Sequence, residues 1–202
     1  MRMNHLALVA LVAAPFGSSH AQTRPQPTPG IVNVVIETDR GTIHASLDSA
    51  HAPRTVANFL KYVDGGFYTG GRFHRSVTPA NQPRDSVRIE VIQGGANPAR
   101  ESAGFPPIEL ERTSQTGLRH VDGALSMARG GPNTATSDFF ICIGAQPSLD
   151  FGGHRNPDGQ GFAAFGRVTS GMDVVRAIQN APMDAQRLTP PVAIRRVMRE
   201  RR

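Results

Sequence analysis

Two residue types are almost missing from this chain of 202 residues, which carries one cysteine, Cys142, and one lysine, Lys61. A single cysteine excludes an intrachain disulfide. Cys142 lies in Phe139-Phe-Ile-Cys-Ile143 and reads as a buried apolar side chain. No base or helix N-terminus stands beside it in sequence to lower its pKa, so a catalytic thiol is not expected. The remaining basic residues are arginines, spread along the sequence apart from Arg195-Arg196 and the terminal Arg199 to Arg202. The formal charge of +6 could attract nucleic acid or an anionic surface. No basic-aromatic array accompanies it, so the charge reads as solvated surface and no nucleic-acid partner is expected. The apolar run Leu6 to Phe16 falls short of the roughly 20 residues a membrane helix needs, which argues against stable membrane insertion. Internal repeats are absent. His44, His51, His120 and His154 show no metal-ligand spacing. Asn156, Asp158 and Gly159 resemble a calcium loop faintly, but the terminal bidentate glutamate is missing and Pro157 interrupts, so no metal is expected.

What the sequence does have begins with Arg2, the apolar run, and small residues ending Ser19-His20-Ala21. That is the pattern of a secretory signal peptide over residues 1–21, with cleavage expected after Ala21. No cysteine near the cut offers a lipid anchor. Residues 22–30, Gln-Thr-Arg-Pro-Gln-Pro-Thr-Pro-Gly, read as an extended tether. Residues 31–202 then suffice for one well-buried domain. The expectation is an exported protein, periplasmic or secreted.

Ile31 to Ile36 is β-branched enough for a strand, Asp39-Arg40-Gly41 marks a turn, and Thr42 to Leu47 returns as its partner. Pro53 opens an amphipathic helix through Val56, Phe59, Leu60 and Val63 that stops before Gly65-Gly66. Short strands are expected at Arg72–Val77, Val87–Gln93, Ala124–Ala128, Phe139–Ile143, Ala163–Val168 and Val192–Met198. Ser170 reads as the N-cap of a short second helix carrying Val174, Val175 and Ile178, with Asp173 at its third position. Many short strands with two separate helices point to an antiparallel barrel or sandwich.

Three segments, Phe73-His74-Arg75, Ile92-Gln93-Gly94-Gly95, and Ala124-Leu-Ser-Met-Ala128 running on to Cys142, occur in an order that resembles the cyclophilins. Phe162-Ala-Ala-Phe-Gly-Arg-Val168 with Gly171-Met172 supports them. The resemblance runs from about Ile31 to Val197, and the protein is identified as a member of that family, with a bacterial, exported member expected. It implies a mainly β fold: a closed antiparallel eight-stranded β-barrel capped by two α-helices. It also implies peptidyl-prolyl cis-trans isomerase activity, which transfers no atoms and needs no cofactor.

Rotation about an X-Pro bond costs roughly 20 kcal/mol because amide resonance is broken. As the bond twists, the proline nitrogen recovers its lone pair and can accept a hydrogen bond. A fixed donor facing it binds the twisted state better than either planar one. Arginine suits that task, since it stays charged and presents a planar fork of donors. By the resemblance this role falls to Arg75, with Gln93 orienting it and binding a substrate carbonyl. Phe140, Val91 and Leu149 would form the proline pocket, with Ala128 and the backbone of Arg129 flanking the peptide and Phe162 at the rim. The alternative for Arg75 is an ordinary surface arginine on a strand.

Several positions depart from the family pattern. Glu90 and Val91 stand where eukaryotic members usually show Phe-Met, Arg129 replaces a common asparagine, and Asp138 a common glutamine. Ser148 takes the place of an aromatic that helps bind cyclosporin, and Phe162 that of a histidine. Weak cyclosporin binding is therefore expected. Thr78 to Arg88 and Phe151 to Gly161 are insertions. The expected partners are proline-containing, unfolded or partly folded polypeptides, met by a monomer that speeds folding of exported proteins. The competing readings are a proline-segment-binding chaperone or scaffold of the same fold with little turnover, and an unrelated ligand-carrying barrel. The latter needs a hollow apolar interior, whereas Phe59, Phe73, Phe139, Ile141 and Phe165 indicate a filled one.

Overall fold

The computed structural model describes residues 30–200, so the expected signal peptide, most of the expected tether and the last two arginines lie outside the described residues. The protein runs β1 (Ile31–Thr38), β2 (Gly41–Asp48), α1 (Pro53–Asp64), β3 (Gly71–Val77), β4 (Val91–Gly95), α2 (Thr113–Thr116) and β5 (Ala124–Met127). It continues through β6 (Phe139–Cys142), β7 (Ala163–Ser170), α3 (Met172–Gln179), β8 (Met183–Asp184) and β9 (Arg187–Arg199). The strand order is β1-β2-β7-β5-β6-β4-β3-β9, and a further β1–β9 pairing closes these eight into an antiparallel barrel. The two-residue β8 hangs on β9 outside the ring. Of the described α-helices, α1 and α3 pack on the barrel strands, and α2 is a single turn.

Inward residues alternate along each strand, as the two-residue period of a pleated strand requires. Val34 and Ile36 on β1 face Ile43, Ala45 and Leu47 on β2, all essentially inaccessible. The interior is filled. Phe59 on α1 meets Phe139 edge-on at 5.5 Å and lies 5.2 Å from both Tyr68 and Phe165. Pro53 supplies a preset φ for the first turn of α1, but Ala52 before it has no capping side chain. Glu111 substitutes from 56 residues away, its carboxylate accepting from Thr55 N at 2.7 Å, Thr55 Oγ1 at 2.6 Å and Arg54 N at 3.1 Å.

Three local expectations are corrected. Val87–Glu90 does not join the sheet and β4 starts at Val91. There the Gln82 side chain accepts from Ile89 N and donates to Ile89 O, giving that backbone its partners without a neighbouring strand. Ser170 does not cap α3, because it is still paired with His44 in the sheet. The cap is Gly171, at φ +93°, where a Cβ would also strike the Thr42 carbonyl. The last strand begins at Arg187, five residues before the expected Val192, and carries Pro190 and Pro191, which cannot donate to a ladder. They fall where the register breaks, between the Phe73–Val192 and Arg75–Arg187 pairs.

Candidate active site

The register explains how distant residues meet. Arg75 on β3 lies opposite Gln93 on β4, Gln93 opposite Phe140 on β6, and Phe140 opposite Ser126 on β5. Cross-strand neighbours share a face, so one row across four strands carries a guanidinium, an amide, a phenyl ring and a hydroxyl on the outside of the barrel. Phe139, one residue earlier, points inward and belongs to the main core. Phe140 joins a second cluster with Val77, Ile89, Val91, Ala124, Cys142 and Leu149, against which Ala128 and Phe162 pack. β3 shifts register between Phe73 and Arg75 against both of its neighbours. Such a bulge re-aims a side chain, and here the residue that follows it is Arg75.

All eight residues singled out in the sequence, Arg75, Gln93, Phe140, Val91, Leu149, Ala128, Arg129 and Phe162, line one hollow of about 250 Å³. Ile89, Arg155 and Asn156 complete its wall and were not anticipated as site residues. Phe162 stands edge-on to Phe140 at 5.3 Å, making an aromatic corner in the hollow.

Arg75 is half-buried and held by two neutral amides. Its Nη1 donates to Gln93 Oε1 at 3.1 Å, while Nε and Nη2 both donate to Gln186 Oε1 at 2.9 and 2.6 Å. Gln186 in turn donates through Nε2 to the Asn81 carbonyl at 3.2 Å. Burial, with Arg155 acting in the same direction and Asp85 against it, pulls the Arg75 pKa below its usual value. An arginine nevertheless stays charged throughout the physiological range. Gln93 is itself oriented, donating through Nε2 to Asp138 at 3.3 Å. Arg129 is committed to structure: Nε donates to the Gly161 carbonyl, and Nη1 and Nη2 grip Asp158 at 2.7 and 2.9 Å. That pairing engages the Asp158 carboxylate, one of the residues of the faint calcium-loop pattern. Gln186 escaped the sequence reading because nothing in Ala185-Gln-Arg-Leu-Thr189 marks it and it lies 111 residues from its partner.

Beneath Phe140, His120 lies nearly parallel to the ring at 5.9 Å. Its Nδ1–H donates to Asp150 at 2.8 Å, and its Nε2 is hydrogen-bonded to the Ser126 hydroxyl at 3.0 Å. Burial alone would raise the Asp150 carboxyl. The His120 bonds, with Arg119, outweigh it and hold the group below the usual carboxylate range. Ser126 and His120 are fully buried, so this serine, histidine and aspartate cannot meet a substrate. They fix the floor on which Phe140 rests. Cys142 is likewise inaccessible, and burial pushes its thiol pKa far up.

Arg75 separates the hollow from a larger depression of about 550 Å³ that contains Gln186, Arg187 and Thr189. Its lining holds no phenyl ring and is mostly arginine and polar side chain, unlike the aromatic corner of the hollow.

Residues 33–199 match the family described as cyclophilin type peptidyl-prolyl cis-trans isomerase/CLD. The sequence is 35% identical over 170 residues to the peptidyl-prolyl cis-trans isomerase cyp18 of Streptomyces antibioticus, covering 83% of this protein and 95% of that one. It is 37% identical over 149 residues to peptidyl-prolyl cis-trans isomerase A of Dickeya dadantii, covering 72% and 70%. A solved cyclophilin type isomerase of Cryptosporidium parvum superposes with a TM-score of 0.69 at 23% identity, over 85% of this protein and 99% of that one. With a family match over most of its length and a relative 35% identical that is spanned over 95% of its own length, the chain belongs to the cyclophilin-type peptidyl-prolyl cis-trans isomerases.

Proposed function

We propose that Arg75 is the catalytic donor of this isomerase, and that its clients are proline-containing polypeptides folding outside the cytoplasm. The observation that carries the first part is the row formed by Arg75, Gln93 and Phe140 at the edge of one hollow, where Val91, Phe140, Leu149 and Phe162 supply an apolar bed. A proline ring seated on Phe140, between Val91, Leu149 and Phe162, presents its nitrogen toward the guanidinium. One hydrogen bond to a charged group contributes about 1.5–3 kcal/mol. Lowering a barrier of about 20 kcal/mol to about 13 takes the rate from about 10⁻² to about 10³ per second. Arg75 therefore accounts for only part of the acceleration. The remainder comes from gripping one side of the bond, ring and flanking carbonyls, while the other turns. Ala128 and the main-chain atoms of Arg129 border the hollow where an extended peptide would run, and Gln93 keeps a donor for a substrate carbonyl.

The second part is supported by the leader-like pattern of residues 1–21 and the Pro-rich tether after it. In a Gram-negative cell the compartment is the periplasm. Uncatalysed proline isomerisation takes tens to hundreds of seconds and can limit folding there. A proline-peptide assay of wild type and Arg75→Ala tests the catalytic assignment, with an expected loss of about tenfold or more in kcat/KM. Equal rates for the two would remove Arg75 from the mechanism. Cell fractionation with N-terminal sequencing tests the compartment, and recovery from the cytosol with residues 1–21 intact would overturn it.

A further inference from the structure

The two inserted segments meet at the wall of the hollow. Arg155, in the segment 151–161, donates through Nη1 to the Val87 carbonyl at 2.7 Å and pairs with Asp85 at 3.0 Å, both in the other insertion. This one arginine clips the insertions together and, with Asn156, forms part of the hollow's lining. That lining now contains three arginines, Arg75, Arg129 and Arg155, and no carboxylate.

The three are not equivalent. Arg75 has its Nε edge taken by Gln186, and Arg129 has every nitrogen engaged by Asp158 or Gly161. Arg155 hydrogen-bonds through Nη1 alone, and its Nε and Nη2 have no hydrogen-bond partner among the described residues. Nε and Nη2 form the side-on fork of a guanidinium, whose two parallel N–H bonds match the two oxygens of a carboxylate. Next to it, Asn156 Nδ2 is buried without a partner, a second donor lacking an acceptor. Asp85, the one acid that compensates Arg155, is itself well exposed.

We propose that the insertions add a carboxylate subsite to the proline hollow, with Arg155 as its cation. The isomerase then favours prolines neighboured by a carboxylate, whether from an Asp or Glu residue or from the free C-terminus of a polypeptide. The inference rests on the hollow being the proline site.

The test uses end-blocked proline peptides with Glu, Ala or Lys on either side of the proline, and an otherwise neutral peptide with a free C-terminal carboxylate beside it. Turnover and calorimetric affinity are measured for wild type, Arg155→Gln and Asp85→Asn. Wild type is expected to prefer Glu over Lys by about tenfold, less at high salt. The free-carboxylate peptide shows whether the acidic residue or the terminus is the better source. Arg155→Gln should bring the Glu-to-Lys ratio toward one, and Asp85→Asn should raise it. A general loosening of the loops would move both variants in the same direction, which refutes the subsite. A wild-type ratio below about twofold, or one unchanged by Arg155→Gln, also overturns it. Failure of the Ala peptide to turn over counts against the catalytic assignment of Arg75, and the affinity ratio still decides the subsite.

Discussion

Replacing Gln186 with alanine probes how the Arg75 guanidinium, the proposed catalytic donor, is aimed. Gln186 receives two of the three protein hydrogen bonds that Arg75 donates, at 2.9 and 2.6 Å, and Gln93 only the longer third at 3.1 Å. Each bond to a charged donor is worth about 1.5–3 kcal/mol when buried. An arginine holds about 2 kcal/mol of rotamer entropy that a lost anchor would partly restore. Arg75 is half-buried, so water replaces some of what is lost, and about 1–2 kcal/mol of transition-state stabilisation remains at stake. That is a fall of about 5–30-fold in kcat/KM. It should appear in kcat, since Gln186 is not part of the hollow's wall and a seated proline does not touch it. The assay is cis-trans exchange of a short proline peptide followed by NMR line shapes, for wild type, Gln186→Ala, Arg75→Ala and the double variant. Acting through Arg75, Gln186 has nothing left to position once Arg75 is gone, so the double variant should match Arg75→Ala alone. An equal loss in both backgrounds, or a lowered melting temperature with unchanged turnover, refutes the positioning role.

Three further outcomes follow from the geometry. Glu111→Ala removes the borrowed cap of α1 and should cost about 1–2 kcal/mol, a melting-temperature drop of about 2–8 °C with turnover retained; no shift would mean that water caps the helix equally well. Asp150 has a folded pKa below its unfolded value, so its contribution is complete above about pH 4 and is lost as the pH falls further. Denaturant titrations should therefore show a stability gap between wild type and Asp150→Asn that closes below about pH 4, and a gap constant down to pH 3 contradicts the assignment. Cys142 should resist alkylation at pH 8 in the native protein and react once denatured; rapid native labelling would show that its strand opens.

The strands and α1 were legible because the strands are β-branched and bounded by turn residues and α1 repeats its apolar residues at helical spacing, whereas the choice of a closed barrel over a sandwich came from the family resemblance. The candidate site residues came from the resemblance; strand alternation alone said only that Phe139 and Phe140 face opposite ways, and the structure sends Phe139 to the core and Phe140 to the hollow. Local structure was not legible where backbone groups are satisfied by side chains from elsewhere. Val87–Glu90 looks like strand sequence, yet Gln82 takes the backbone hydrogen bonds of Ile89 and Arg155 that of the Val87 carbonyl. The start of β9 was hidden by Pro190 and Pro191, which read as a break and occupy a register shift instead. Arg155 and Asn156 belonged to a segment with no periodicity, and only the fold of both insertions brings them to the hollow.

Phe139 and Phe140 are consecutive, so the outer wall of the packed interior and the bed of the groove are two sides of the same short ribbon. Enlarging Phe59 or Phe73 would press that ribbon outward and shrink the space above Phe140 without altering any residue a client meets. A substitution inside this barrel is therefore expected to change turnover as well as stability.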